Sequence, residues 1–157
     1  MGEVKTNAFR IAETNKLAHT LHNCSYKEAV DGVTVAGYLG VSPDIVFKTL
    51  VTQGKSNNYF VFVIPASAEL DLKKAAASVG EKSVAMIPVK DINKVTGYVR
   101  GGCSPIGMKK QYVTRIHETA KTLDHIFVSA GRIGQQLELN AVQLADLIHA
   151  EFTDLVQ

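Results

Sequence analysis

Two neighbouring apolar runs constrain the fold of this chain more than any other feature of its sequence. Residues 45–51 (IVFKTLV) and 59–64 (YFVFVI) consist mainly of β-branched and aromatic residues, the types enriched in β-strands. The segment between them is polar and contains Gly54, which suits the turn of a hairpin. The two runs therefore predict an antiparallel hairpin with Lys48 in the middle of its first strand.

The rest of the chain mixes helical and extended patterns. We expect helices over 6–21, 32–39, 70–79, 89–95 and 141–148, and short strands over 22–28, 83–86, 112–116, 126–129 and 136–139. Gly40 is placed to end the second helix and Asn140 to cap the last one. Hairpin-connected strands are interspersed with helices instead of alternating strictly with them. This pattern favours a mixed α/β fold, a barrel-like mixed sheet surrounded by helices, in a single domain.

Composition excludes several classes of protein. The 157 residues are 46% hydrophobic and 20% charged, which suits one folded domain and is unlike a disordered chain. No apolar run approaches the ~18 residues of a membrane span, and residues 1–10 lack the apolar centre of a signal peptide, so we expect neither membrane insertion nor export. Two cysteines without CxxC spacing, and histidines without ligand spacing, predict a reducing cytoplasm and neither a disulfide framework nor a metal site.

Basic residues are unevenly distributed, although the net charge is only +2. Residues 90–115 contain six lysines and arginines and one acid, whereas residues 116–157 contain two basic residues and six acids. Such a basic stretch is either a solvated face or a surface that meets phosphates, whose attraction is electrostatic and weakens with salt. Charge alone leaves both interpretations open.

Lys48 is the first candidate for chemistry. Lysine is rarely fully buried unless it is paired, because removing an ammonium group from water is costly. Either its stem lies along an apolar surface with the ammonium in water, or the ammonium faces a cleft and offers positive charge or a proton to a bound anion or carbonyl. Thr49 points to the opposite face of a regular strand and is a weaker candidate.

Residues 97–110 (GYVRGGCSPIGMKK) are the second candidate, because four glycines and a proline exclude a long regular element. Glycines let a ligand approach the main chain, whose N–H groups can bind an anion or a developing oxyanion, although a long surface turn has the same composition. The segment matches neither GxxxxGK[ST] nor GxGxxG, which disfavours nucleoside triphosphate binding, and no GxSxG elbow is present. Cys103 is either a nucleophile beside Arg100 or a small buried hydrophobic residue.

Five sequence blocks lie in a defined order along almost the whole chain. They are VFKTL (46–50), LDLKK (70–74), TGY (96–98), GGCSPIG with the two following lysines (101–110), and VSAG (128–131). Together they resemble the YbaK family, free-standing Cys-tRNA(Pro) deacylases related to the editing domain inserted in bacterial prolyl-tRNA synthetases. The resemblance implies a mixed α/β, barrel-like domain with an open cleft.

The resemblance also implies roles for individual residues. Lys48 corresponds to the family's invariant lysine, and Gly101 and Gly102 open its GxxxPxG loop, which implies catalytic roles for all three. The implied substrate-binding residues are Tyr26, Thr49, Cys103, Ser104, Pro105, Gly107, Ser129 and Gln136. The basic residues expected to contact phosphates of the tRNA acceptor stem are Arg100, Lys109, Lys110 and Arg115.

The implied reaction is cleavage of the ester that joins an amino acid to the 3′ end of tRNA. The protein supplies no nucleophile, metal or cofactor; instead, the thiol of the bound cysteine attacks its own carbonyl and leaves as a thiolactone. Aminoacyl-tRNA is the expected partner, with prolyl-tRNA synthetase as a further one. Cys-tRNA(Pro) is the leading substrate, and Cys-tRNA(Cys) is a second.

Two departures from the family pattern keep other functions open. Cys24 stands where relatives carry a tyrosine, so Tyr26 is expected to take its place, and Gln136 stands where they carry an acid. These changes motivate the alternative of a catalytically silent module that binds tRNA ends or a synthetase. A hydrolase that uses Cys103 as its nucleophile is the third hypothesis.

Overall fold

A computed structural model of the protein describes residues 5–157. Residues 1–4, which belong to the N-terminal segment expected not to be a signal peptide, lie outside this range. The helices are α1 (Asn7–Thr14), α2 (Gly32–Leu39), α3 (Leu72–Ser78), α4 (Ile92–Thr96) and α5 (Ala141–Ile148). The strands are β1 (His19–Asn23), β2 (Phe47–Gly54), β3 (Tyr59–Pro65), β4 (Val84–Met86), β5 (Val113–His117), β6 (Ile126–Ser129), β7 (Gln135–Leu139) and β8 (Glu151–Thr153). Short 3-10 helices precede α4 (Val89–Asp91) and follow β5 (Glu118–Thr122).

The strands form two sheets, and the predicted mixed α/β fold is confirmed. One sheet is antiparallel with the order β1-β7-β6, and the other has the order β4-β2-β3-β5-β8. In the larger sheet β4, β2 and β3 run antiparallel, whereas β5 is parallel to both β3 and β8. A parallel bridge between Val46 and Phe127 joins the two sheets. Over residues 5–157 the sheets therefore form an open arrangement instead of a closed barrel.

The predicted hairpin of β2 and β3 is confirmed, and it contributes to a core on each of its faces. Alternate residues, among them Val61 and Val63, enter a core shared with β6, β7 and α5. The intervening residues, among them Phe62 and Ile64, pack with α3 on the other face. Each of these four side chains is at most 1% exposed. Burial of both faces explains why β3 appears in the sequence as an unbroken apolar run.

Polar side chains and a glycine fix several helix ends. Asp31, Asp71 and Asn140 each accept a hydrogen bond from backbone N–H groups in the first turn of α2, α3 and α5. Gly40 ends α2 in a left-handed conformation with a φ of 70°. The expected roles of Gly40 and Asn140 are thus confirmed.

The first helix and strand differ from the prediction of a helix over 6–21 and a strand over 22–28. Helix α1 ends at Thr14, because Lys16 adopts a left-handed conformation and the N–H of Leu17 donates to the carbonyl of Ala12. The chain then enters β1 at His19 and pairs with β7. The apolar spacing continued past the helix because residues beyond its end, including Leu17, reach the same core.

Two smaller differences concern elements that depend on distant partners. Strand β8 escaped prediction because its three residues become a strand only through parallel pairing with β5. The helix expected over 89–95 begins as a 3-10 turn and becomes α-helical only at Ile92.

Leu144 in α5 tests the larger core. Its side chain is 0% exposed, whereas that of Val142 in the same helix is 53% exposed. Leu144→Ala is expected to lower the free energy of unfolding by about 2–5 kcal/mol, since it removes buried methyl groups and leaves a cavity. Val142→Ala should change it by less than about 0.5 kcal/mol. Urea unfolding followed by circular dichroism measures both, and equal effects would contradict this packing.

Candidate active site

Strand β2 is paired along one edge but only partly along the other. It pairs with β3 over almost its whole length, whereas its other edge meets β4 only from Thr52 onward. On the same edge it meets β6 only at the bridge formed by Val46. Within the described part of the chain, no strand pairs with residues 48–51 on this edge.

The backbone of Thr49 faces this gap. The carbonyl of Val46 accepts a hydrogen bond from Ala66 at 2.7 Å on the β3 side, and the carbonyl of Val51 accepts one from Ile87 at 3.2 Å on the opposite side. Backbone groups alternate in direction along a strand, so residues two apart point the same way. The N–H and C=O of Thr49 therefore point with those of Val51, toward the gap.

A cavity of about 400 Å³ occupies the gap, and we call it the inner cavity. Its volume lies toward the lower end of the ~300–1,000 Å³ typical of small-molecule sites. Most of its wall is apolar and comes from the α2 region, from β2 and from the segment between β4 and α4: Val30, Val35, Phe47, Met86, Ile87, Val89 and Ile92. Sequence reasoning missed these wall residues, because nothing in their local pattern separates them from ordinary core or surface positions.

Lys48 and Thr49 both line the inner cavity although their side chains point to opposite faces, because the cavity wraps round the open edge of β2. Lys48 and Arg100 are the charged residues in its wall, and neither has an ion-pair partner among residues 5–157. The pKa of Asp31, the N-cap of α2, is lowered mainly by hydrogen bonding with Thr34 and to a lesser degree by the charge of Lys48. The cavity therefore favours an anion or a group on which negative charge develops.

The hydroxyl of Thr49 is a second sign of a missing ligand. Among the described residues, Thr49 Oγ1 is the one buried side-chain oxygen or nitrogen without a hydrogen-bond partner. Such an atom loses its contacts with water and gains none from the protein, which costs about 1–3 kcal/mol. An unpartnered buried hydroxyl in a cavity wall is therefore typical of a site completed by a polar ligand.

Gln136 and Ser129 form a polar end of the inner cavity, facing each other in the β6–β7 ladder. The Nε2 of Gln136 donates to the hydroxyl of Tyr26 at 3.3 Å, and its Oε1 has no hydrogen-bond partner among residues 5–157. Tyr26 is 7% exposed and lies behind Gln136, outside the wall of the inner cavity. Burial raises the pKa of Tyr26, so its hydroxyl remains protonated at neutral pH.

The glycine loop presents main-chain groups to the inner cavity. The N–H of Gly102 donates to the carbonyl of Val99 at 3.0 Å and closes a turn, in which Gly101 has a φ of 83°. Only glycine adopts this conformation easily, and a Cβ at Gly101 would lie 2.6 Å from the Cβ of Ala29. Gly101 and Cys103 line the cavity, and their N–H groups have no partner in the described chain. Of the two glycines with predicted catalytic roles, Gly102 uses its N–H in the turn, whereas the N–H groups of Gly101 and of Cys103 are free to donate.

The second half of the loop turns away from the inner cavity. Ser104 is fully buried, and its Oγ accepts a hydrogen bond from the N–H of Ile106 at 3.2 Å. Pro105 is also buried, and the carbonyl of Gly107 accepts a hydrogen bond from Asn7 at 2.8 Å. The structure therefore places Ser104, Pro105 and Gly107 where they shape the loop, and none of the three lines the cavity.

The four basic residues predicted to meet phosphates are dispersed. Arg100 is exposed at the inner cavity, and Lys110 is exposed outside it. The ammonium of Lys109 donates to a backbone carbonyl near the end of α4. The guanidinium of Arg115 donates to the carbonyl of Ser78 at 3.2 Å and lies 3.4 Å from a carboxylate oxygen of Glu151. Arg115 therefore stabilises the edge of the larger sheet and does not join Arg100.

Cys103 lines the inner cavity, but its thiol is a poor nucleophile. Burial, only partly opposed by a hydrogen bond with Thr96, raises the pKa of the Cys103 thiol to about 11. Roughly 0.1% of such a thiol is ionised at pH 8, and the thiolate is the reactive form. The structure favours the small buried residue over the nucleophile.

Two other features are absent from residues 5–157. No group of three or more histidine, cysteine, aspartate or glutamate side chains is arranged there to hold a metal ion. None of the described helices combines the length and apolarity needed to cross a membrane.

Alkylation of Cys103 tests its raised pKa. Its rate of reaction with iodoacetamide should rise about tenfold per pH unit from about pH 7.5 to 9.5, because the thiolate fraction does so well below the pKa. In urea-unfolded protein, where the pKa returns to ~8.5, the rate should level off toward pH 9.5. Peptide mass spectrometry measures both rates. A folded-state rate that levels off below pH 9 would contradict the assignment.

Comparison with known proteins identifies the family to which this site belongs. Residues 27–147 match the family model of the aminoacyl-tRNA editing domain. A protein of Enterococcus faecalis, EbsC, named as a candidate Cys-tRNA(Pro)/Cys-tRNA(Cys) deacylase, is 43% identical over 152 residues, which cover 96% of this chain and 93% of that protein. A segment of 75 residues, 48% of this chain and 13% of the other, is 35% identical to proline–tRNA ligase of Fervidobacterium nodosum.

Solved structures share the fold. A hypothetical protein, APE2540, aligns with a TM-score of 0.89 over 97% of this chain and 100% of its own, at 20% identity. A candidate trans-editing enzyme for prolyl-tRNA synthetase aligns with a TM-score of 0.82 over 99% of both chains, also at 20% identity. The family model spans most of the sequence and the Enterococcus relative almost all of it, and the chain therefore belongs to the aminoacyl-tRNA editing domain family.

Proposed function

We propose that the protein is an editing deacylase that cleaves the aminoacyl ester of Cys-tRNA(Pro) and Cys-tRNA(Cys) within the inner cavity. The observation that carries this proposal is the buried, unpartnered hydroxyl of Thr49 in the same cavity as the unpaired ammonium of Lys48. Both groups lack a partner that a polar ligand would supply. Membership of the editing family and the similarity to EbsC support an aminoacyl ester as that ligand.

The polar groups of the inner cavity suit different parts of this substrate. The free N–H groups of Gly101 and Cys103 suit the carbonyl oxygen as it becomes an oxyanion. The ammonium of Lys48 adds positive charge to the same cavity, where low polarity strengthens its effect. The carbonyl of Thr49 and the Oε1 of Gln136 are acceptors suited to the α-amino group.

The reaction takes its nucleophile from the substrate. The sulfur of the bound cysteine forms a bond to its own carbonyl carbon, and the negative charge moves to the carbonyl oxygen. When this tetrahedral species collapses, the bond from carbon to the tRNA 3′ oxygen breaks, and the thiol proton passes to that oxygen. The products are deacylated tRNA and a cysteine thiolactone, which water opens to cysteine. Holding the sulfur and carbonyl in the reacting geometry supplies much of the reduction in barrier.

The apolar wall selects the side chain only coarsely. Charged or large side chains are disfavoured in a cavity of about 400 Å³ lined by valine, isoleucine and phenylalanine. One methylene more or less changes binding by about 1–3 kcal/mol, or 10–200-fold, so the cavity excludes alanine and serine only modestly. Discrimination between these three then comes from the reaction, because only cysteine carries a thiol.

Selection of the tRNA requires a partner under this proposal. The inner cavity is sized for the amino acid and does not reach the bases that distinguish one tRNA from another. We infer that prolyl-tRNA synthetase, bound to the same tRNA, supplies that selection, and the similarity of 75 residues to a proline–tRNA ligase supports this partner. The activity would then lie in the cytoplasm, where tRNA is charged.

Replacement of Lys48 tests the site directly. Lys48→Ala is expected to slow release of cysteine from Cys-tRNA(Pro) about 100-fold or more, the typical cost of removing one group that stabilises an oxyanion. Lys55→Ala is the matched control, since Lys55 is an exposed lysine in the loop of the same hairpin. Release of radiolabelled cysteine gives the rates, and thermal unfolding shows whether each variant is folded.

Three other outcomes separate the competing hypotheses. Equal rates for Lys48→Ala and Lys55→Ala would remove Lys48 from the mechanism. Binding of aminoacyl-tRNA without release of any amino acid would identify a catalytically silent module. Cys103→Ser should still release cysteine, and its complete inactivity in a folded protein would restore Cys103 as the nucleophile.

A panel of aminoacyl-tRNAs tests the attack by the substrate's thiol. Cys-tRNA(Pro) should lose its amino acid at least about 100-fold faster than Ser-tRNA(Pro) or Ala-tRNA(Pro), because the intramolecular thiol has a high effective concentration. Binding of the three should differ by no more than about 10–200-fold, the range expected for one small group in an apolar pocket. Single-turnover kinetics separates the two quantities. Equal single-turnover rates for cysteine and alanine would show that water attacks the ester directly.

A further inference from the structure

A second cavity of about 750 Å³, here called the outer cavity, lies beside the start of the glycine loop. Its wall consists of residues 23–27, 97–99 and 131–135. Tyr26 lines the outer cavity and accepts a hydrogen bond from Gln136, which lines the inner cavity. A single residue, Arg100, separates Gly101, which lines the inner cavity, from residues 97–99, which line the outer cavity. The two cavities are therefore neighbours separated by a thin partition.

The outer cavity is basic. Lys27 and Arg132 are exposed residues of its wall, and neither has an ion-pair partner among residues 5–157. No aspartate or glutamate of the described chain lines this cavity. Arg100 lines the inner cavity and directly follows Val99 of the outer one. Positive charge therefore continues from Lys48 through the partition into the outer cavity.

Between β4 and α4 the wall of the inner cavity itself contains no cation. Its rim there consists of apolar residues, with Met86 48% exposed and Val89 55% exposed. A phosphodiester chain that leaves the inner cavity on that side would meet these apolar side chains before Lys90, the exposed cation that follows Val89, whereas on the other side it would meet cations in the cavity walls themselves. Electrostatic attraction therefore directs such a chain to the outer cavity.

The outer cavity also has surface suited to bases. Val99, which is 50% exposed, and Ile133 contribute apolar surface to its wall. Single-stranded nucleic acids are bound by grooves that combine cations for the phosphates with apolar or aromatic surface for the bases.

We propose that the outer cavity binds the nucleotides that precede the terminal adenosine at the 3′ end of tRNA, with Lys27 and Arg132 contacting their phosphates. The inference rests on the proposed function, since the ester bound in the inner cavity fixes where the nucleotide chain begins. Lys27 and Arg132 then serve in binding the substrate and take no part in the reaction itself.

Substrates of different length test this subsite. Lys27→Ala/Arg132→Ala should lower kcat/KM at least about tenfold for Cys-tRNA and for cysteine esterified to a CCA trinucleotide, mainly through KM. The same variant should leave the hydrolysis of cysteinyl-adenosine unchanged, because that substrate ends before the outer cavity. Arg10→Ala/Lys73→Ala, which removes two exposed cations outside both cavities, is the matched control.

Salt dependence gives a second readout that loss of packing would not change. The slope of log KM for Cys-tRNA against log salt concentration should fall by ~0.7 for each phosphate contact removed, and it should stay unchanged in the control. A drop in kcat/KM that is equal for all three substrates would overturn the proposal, because the damage would then lie in the inner cavity. Rates equal to those of the control variant would overturn it as well.

Binding separates this inference from the proposed function. If the wild-type protein cleaves Cys-tRNA and the double variant behaves like the control, the proposed function stands and the proposed subsite is excluded. Where the wild type cleaves no substrate, the proposed function fails, and fluorescence anisotropy with uncharged single-stranded RNA ending in CCA tests the subsite alone. Weaker binding of this RNA by Lys27→Ala/Arg132→Ala supports the subsite, and affinity equal to that of the control overturns it. A blunt RNA duplex that binds as tightly as the single strand would identify a non-specific basic surface instead.

Discussion

The incomplete pairing of β2 is the constraint on which the site depends. Its full ladder with β3, whose two faces are both buried, holds the strand rigidly in place. Its open edge leaves the backbone of Thr49 facing a cavity. Strand β2 therefore offers a ligand main-chain hydrogen-bonding groups that would pair with a neighbouring strand if both of its edges were paired. An open edge is normally exposed to other chains, but here α2 and the segment between β4 and α4 cover it. Only a ligand that fits the inner cavity can reach it.

The glycine loop completes the site, and its two halves have different roles. Its first half turns sharply around Gly101, where a positive φ is accessible, and it contributes Gly101 and Cys103, whose N–H groups are free, to the wall of the inner cavity. Its second half is held by internal contacts, with the hydroxyl of Tyr98 donating to the carbonyl of Ile106 at 2.6 Å. These contacts hold the loop in place, which matters because a donor must already be in position when negative charge develops.

Local patterns in the sequence predicted the elements whose causes are local. The hairpin of β2 and β3 and the end of α2 at Gly40 depend on residue type and turn chemistry within a few positions, and both were correct. Strand β8 and the gap beside β2 arise from pairing between distant segments, which no local pattern reveals. The sequence indicated Lys48 and the glycine loop as a site. It could not show that Gly102 uses its N–H within the turn, because that depends on backbone geometry.

Gln136 shows how a departure from the family pattern can be compatible with the same chemistry. The phenolic oxygen of Tyr26 accepts a hydrogen bond from the Nε2 of Gln136, so its own proton is free for another acceptor. A carboxylate at position 136 could only accept, and it would therefore hold that proton. The amide also leaves Lys48 and Arg100 without a negative charge among the residues that line the inner cavity. Because the proposed reaction places negative charge on a carbonyl oxygen, this more positive cavity lowers the energy of the tetrahedral species and not that of the neutral ester.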